Sequence, residues 1–205
     1  MYNSYKVIAN RSKIFLYSYY RMKHQKIKFP IELEEIITFL GYDLKTYDLP
    51  ENMNAFTDMI KRKVWINLNI IPSENMKMYG RYRFTLAHEI AHIVLHEKEY
   101  LKTYRKYEMN RNLTELETLV RNPDYEKEAD IFAGNLILPR DLLKEEFRKK
   151  FGWQKLYFKH NLLFPKGANE HIYRLQKITG VSETALFIAL KESFLLRTFQ
   201  QEKSY

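Results

Sequence analysis

The sequence predicts an α+β fold, and three observations carry that prediction. Leu33, Ile36, Ile37 and Leu40 recur at helical spacing between Pro30 and Gly41. Val64, Ile66 and Leu68 alternate with other residues across 63–69, the pattern of a half-buried strand. Residues 81–96 hold Leu86, Ile90, Ile93 and Val94 at positions that give a helix one apolar side.

Taken in order, 5–24 mixes bases with Ile14, Phe15, Leu16, Tyr17, Tyr19 and Tyr20 and shows no clean period, with helix the weaker preference. The segment 31–40 is a short helix with acids in its first turn and Gly41 just beyond its end. Residues 42–49 are expected to be extended, and the strand over 63–69 ends in the turn chemistry of Pro72-Ser73-Glu74-Asn75. The helix over 81–96 leads into a charged, loosely patterned connection, 98–122, with partial helical character. Pro123-Asp124 opens a further helix to Ile137, Pro139 stops it, and 141–150 forms a short amphipathic piece. Gly152, Pro165 and Gly167 punctuate the approach to the C-terminal segment, with a domain boundary expected near 150–165.

That segment reads as a helix burying Ile172, Leu175 and Ile178, a tight turn at Gly180, and a second helix burying Ala185, Leu186 and Leu190, with Ser182 as its N-cap. The order is that of a helix-turn-helix. Base edges are read by Arg, Asn or Gln, whereas the second helix offers Glu183, Thr184, Phe187, Ile188 and Lys191. Packing or protein docking is therefore favoured over sequence-specific DNA contact.

Composition bounds the chemistry. The 205 residues are 45% hydrophobic and 15% aromatic, enough for a core and too much for a disordered chain. The absence of cysteine excludes disulfides, thiolate metal sites and thiol nucleophiles. No run approaches the roughly 20 apolar residues of a membrane span, and the opening residues lack a secretory pattern, so the expected location is the cytoplasm. The formal charge is +9, yet residues 1–31 contain seven Lys/Arg and no acid, which leaves the middle of the chain near neutral. Basic ends permit nonspecific phosphate contact or simply a solvated surface.

The chemistry lies in His88-Glu89-Ile90-Ala91-His92. Residues four apart on a helix stand one above the other, so His88 and His92 can aim two imidazole nitrogens at one ion. Glu89, one residue on, can reach water beside that ion without binding the metal. This is the H-E-x-x-H arrangement of zinc peptidases. His96 is excluded as a third ligand, because eight residues of helix rise about 12 Å from His88. It reads instead as a helix-end residue or one that supports a ligand.

A catalytic zinc site needs one more protein ligand and an open position. Glu126 and Asp130 are four apart and share a helix face with Ala133 and Leu136. Helical face geometry favours Glu126 as the ligand, with Asp130 accepting a hydrogen bond from a ligating imidazole. Glu128, on another side, is the competing ligand.

Residues 83–96 and 126–139, with the strand at 64–69 ahead of them, resemble the ImmA/IrrE metallopeptidases over about residues 30–145. The resemblance implies a small zincin-like, gluzincin-type peptidase over 1–150, followed by a helical helix-turn-helix-like segment over 151–205. It implies His88, His92 and Glu126 as Zn2+ ligands and Glu89 as the catalytic base. It further implies cytoplasmic cleavage of a helix-turn-helix repressor belonging to a prophage, mobile element or stress regulon. The sequence differs from the family in the 29 residues between His96 and Glu126, a longer gap than usual, and in Leu138, where Met is common. The strand around Ile66 is expected to offer its edge to an extended substrate. The rival reading is a non-proteolytic protein that binds a repressor or DNA around a structural zinc.

Overall fold

The computed structural model describes residues 2–72, 76–110, 122–152, 156–158 and 169–198. It is mixed α+β, as the sequence predicts.

Helix α1 (Tyr2–Met22) accounts for the unpatterned N-terminal segment. Its buried stripe runs Ile8, Ser12, Leu16, Tyr19, Tyr20. Ser12 hides the period in the sequence, yet its hydroxyl is fully buried because it donates to the Phe132 carbonyl at 3.0 Å. Helix α2 (Leu33–Phe39) buries Leu33, Ile36 and Ile37. Gly41 turns the chain with φ +78°, a conformation that favours glycine. The Arg62 guanidinium donates to the Leu40 and Gly41 carbonyls at 2.6 and 3.0 Å.

Strands β1 (Asp43–Tyr47), β2 (Ala55–Asp58) and β3 (Lys63–Asn67) form one sheet in the order β1-β3-β2. β3 runs parallel to β1 and antiparallel to β2, with Leu44 opposite Val64 and Thr57 opposite the same residue on the other side. Val64 and Ile66 are fully buried against the helices. The strand around Ile66 is thus central and has no free edge; the edge next to the helices' cleft belongs to β2. β3 also ends sooner than its alternation suggests. The Asn67 side chain accepts from the Asn69 amide at 3.1 Å and starts a short 3-10 turn over Leu68–Ile70. The turn expected at residues 73–75 lies outside the described residues.

Helix α3 (Met76–Asn110) is 35 residues long, so it begins before residue 81 and continues well past His96. Nothing between His96 and Asn110 would stop it, since that stretch contains neither Gly nor Pro. The remainder of the expected connection, 111–121, lies outside the described residues. Helix α4 (Pro123–Ile137) has the expected bounds: Asn122 caps it by accepting from the Asp124 amide at 3.0 Å, and Pro stands in its first turn. It packs across α3 on one side and α1 on the other, and Phe132 meets Phe15 at a ring separation of 5.9 Å. Helix α5 (Arg140–Phe151) follows and buries Leu143 and Phe147.

The C-terminal part contains α6 (Asn169–Thr179) and α7 (Glu183–Glu192), and a parallel pair of short strands, β4 (Leu156–Phe158) and β5 (Leu196–Thr198). The expected punctuation at Pro165 and Gly167 lies outside the described residues. Ser182 caps α7 by accepting from the Ala185 amide at 3.2 Å. Phe187 is buried, so it is not available on the outer face of α7, while Ile188 is half exposed. Val181, Leu186 and Leu190 join the same core as Leu86, Ile90 and Phe132.

Two glycines set this docking. A Cβ on Gly180, at φ +67°, would come within 2.9 Å of the Arg83 and Tyr79 side chains, and one on Gly80 would lie 2.8 Å from the Ser182 backbone nitrogen. Flexible side chains can yield; a backbone nitrogen at a helix start cannot do so without moving α7. Gly80→Ala is therefore expected to destabilise the fold by about 1–3 kcal/mol through overpacking. Thermal unfolding should register this as a drop of several degrees, at about 2–4 °C per kcal/mol for a chain of this size. An unchanged midpoint would show that α7 does not rest on α3 at this point.

Candidate metal centre

The middle of α3 is apolar on the side facing the sheet and α4, where Leu86, Ala87, Ile90 and Ala91 are fully buried. That burial fixes the helix about its own axis and turns His88, His92 and His96 towards the first turns of α4. Nε2 of His88 and Nε2 of His92 are 3.0 Å apart. Glu126 places Oε2 3.1 Å from the first and Oε1 3.4 Å from the second.

Donor atoms about 2.0–2.1 Å from one ion in tetrahedral directions lie roughly 3.3 Å from each other. The Nε2–Nε2 separation is close to that requirement, and the Glu126 carboxylate meets the two nitrogens at similar distances through different oxygens. Among the described residues, His88, His92 and Glu126 form a group able to hold a metal ion.

The residues around the trio divide by their position on α4. Glu126 and Asp130, one turn apart, both address His88: Asp130 Oδ1 lies 3.0 Å from His88 Nδ1. A carboxylate only accepts, so the His88 Nδ1–H donates to it, and the Nε2 side of the ring faces the trio. Tyr125 and Glu128 address His96 instead, with Glu128 Oε2 3.2 Å from His96 Nε2. Glu126 thus stands at the trio, and Glu128, the competing ligand in the sequence, stands against His96.

Glu89 projects beside this group and is only 6% exposed. Its Oε2 accepts the Thr57 hydroxyl at 2.7 Å, which ties α3 to the edge strand β2. Burial pushes its carboxyl above the ordinary range, and the Thr57 hydrogen bond opposes that rise. Burial lowers His92 to about 3, helped by the neighbouring His88 and His96 rings, so the imidazole is neutral near pH 7. His96 is also lowered by burial, against the pull of Glu128.

The trio opens on a cleft of about 620 Å³ between β2 and α3, whose walls include Phe56, Met59, Ile60, Tyr100 and Tyr104. Sequence patterning did not disclose this wall. Tyr100 and Tyr104 line it because α3 continues past His96, and Phe56 belongs to a strand too short to show a period.

A zinc-motif helix, a carboxylate supplied by the next helix and a small sheet whose edge borders the cleft define a small zincin-like peptidase fold. Residues 59–191 match the M78 peptidase family, described as an IrrE N-terminal-like domain, and the chain belongs to that family. No curated protein is a significant match to the chain.

Proposed function

We propose that the protein is a zinc-dependent endopeptidase, with His88, His92 and Glu126 as metal ligands and Glu89 as the proton carrier. The observation that carries this reading is the convergence of His88 Nε2, His92 Nε2 and the Glu126 carboxylate, whose two oxygens lie 3.1 and 3.4 Å from those nitrogens, beside a buried carboxylate. A zinc ion at this position supplies Lewis acidity to a scissile carbonyl and brings the pKa of water down to about 7.

The protein's own groups supply the rest. Thr57 holds Oε2 of Glu89, so Oε1 is the oxygen left to take a proton from water and return it to the departing amine. Asp130 keeps the Nδ1 proton of His88 directed away from the ligand side. Among the described residues β2 is an edge strand; it borders the cleft and suits an extended peptide segment paired by main-chain hydrogen bonds. Phe56, Met59, Ile60 and the tyrosines of α3 favour a large apolar side chain near the bond to be cut.

The substrate proposed is a helix-turn-helix repressor, cleaved in the cytoplasm, as the family resemblance implies. No helix among the described residues is long and apolar enough to cross a membrane. The rival, a non-proteolytic binding protein with structural zinc, requires a closed four-ligand site. The group among the described residues has three members.

Mixing the zinc-loaded protein with the repressor encoded beside its gene, with and without chelator, tests both readings. A discrete repressor fragment that disappears with chelator is expected. Stable association without a fragment would favour the binding protein.

A further inference from the structure

His96 is the histidine of α3 for which the proposed chemistry has no use. It stands too far from His88 to share an ion, yet it is only 5% exposed, and both ring nitrogens and one ring face are engaged. Its Nδ1 lies 3.1 Å from Nδ1 of His92. Its Nε2 lies 3.2 Å from Oε2 of Glu128. Its face stacks on Tyr125 with ring centres 4.1 Å apart and planes only 7° from parallel.

The proton positions follow from donor and acceptor counting. Glu128, as a carboxylate, can only accept, so His96 donates its Nε2–H to it. A neutral His96 then carries a bare Nδ1. Two Nδ1 atoms 3.1 Å apart need one proton between them, and His92 must supply it. With Nδ1 protonated, a neutral His92 carries its lone pair on Nε2, the atom that faces His88 and Glu126. The opposite tautomer would point an N–H into the space where the ion belongs.

Resting on the metal-centre reading above, we infer that Glu128 and His96 are positioning residues that lock His92 in its metal-binding tautomer. Asp130 does this for His88 directly; Glu128 does it for His92 through one intervening ring. The tautomer of a ligating histidine is set by the hydrogen bond on its other nitrogen. The arrangement also accounts for the alternating acids on α4. Glu126 completes the ligand set, while Glu128 and Asp130 each hold one imidazole in register from a different face of the same helix turn.

The test uses zinc binding and histidine tautomers, neither of which requires turnover. Zinc affinity, measured by competition with a chromophoric chelator, is expected to fall about 10–100-fold in His96→Phe, which keeps a ring on Tyr125 but removes both nitrogens. Glu128→Leu should fall similarly. Glu128→Gln, whose amide oxygen still accepts from His96, should stay near the wild-type value. In the metal-free wild type, nitrogen NMR of the imidazoles should show His92 protonated at Nδ1 and His96 at Nε2, a readout that stands even if a variant fails to fold. Wild-type affinity in both His96→Phe and Glu128→Leu would overturn the inference alone, as would a His92 protonated at Nε2. Failure of the wild-type protein to bind zinc would overturn the metal-centre reading and this inference with it.

Discussion

Replacing Glu89 with glutamine is expected to leave zinc bound and to lower the rate of peptide cleavage by about 10²–10⁴-fold, the range associated with loss of a positioned acid–base group. The substitution is close to isosteric. It should remove no ligand, because Glu89 is not among the three residues that could hold a metal ion. The Thr57 hydroxyl, now 2.7 Å from Oε2, can donate equally to an amide oxygen, so the side chain should keep its place. What disappears is the capacity to take a proton. Stability should move the other way. Burial raises the Glu89 pKa in the folded chain above its unfolded value, so the metal-free protein loses stability as pH rises through the interval between those two values. A neutral amide has no such dependence. Thermal unfolding of the metal-free proteins should therefore find the variant at least as stable as the wild type near pH 7, with the gain gone below the ordinary carboxylate range. Full cleavage by the glutamine variant would remove Glu89 from the mechanism.

The parts of the molecule that could be read in the sequence are those set by local chemistry. Pro123 and Pro139 bracket α4 because prolines act within one or two residues of where they stand. Gly41 marks the end of α2 in the same way. The pairing of His88 with His92 and of Glu126 with Asp130 was legible because four residues make about one helical turn. The strands were less so. β3 alternates and shows itself, but its central place in the sheet depends on β2, four residues with no period of their own. α1 was obscured by Ser12, a polar residue in an apolar stripe whose partner lies 120 positions away. The separate roles of Glu126 and Glu128 could be argued from helix faces only as a preference. Their assignment depends on how α4 lies across α3, and that is fixed by Ala129, Phe132, Ala133 and Leu136 packing into the core.

Replacing Glu126 with alanine is expected to abolish metal-dependent stabilisation while leaving the metal-free protein almost unchanged. The Glu126 side chain is 56% exposed and sits in the first turn of α4, so no cavity results from its removal. The loss without metal should be limited to its favourable position at the helix N-terminus, about 0.3–1 kcal/mol. With metal the balance differs. An ion that binds only the folded state at a thousandfold excess over its dissociation constant adds about 4.1 kcal/mol, and that gain requires all three donors. Neighbouring carboxylates are poorly placed to substitute. Asp130 is engaged on the far nitrogen of His88, Glu128 on His96, and Glu89 is held by Thr57. Differential scanning calorimetry with and without zinc should therefore show a large upward shift for the wild type and little or none for Glu126→Ala. An undiminished shift would take Glu126 out of the ligand set. It would also remove the three-donor site that leaves a coordination position free for hydrolysis.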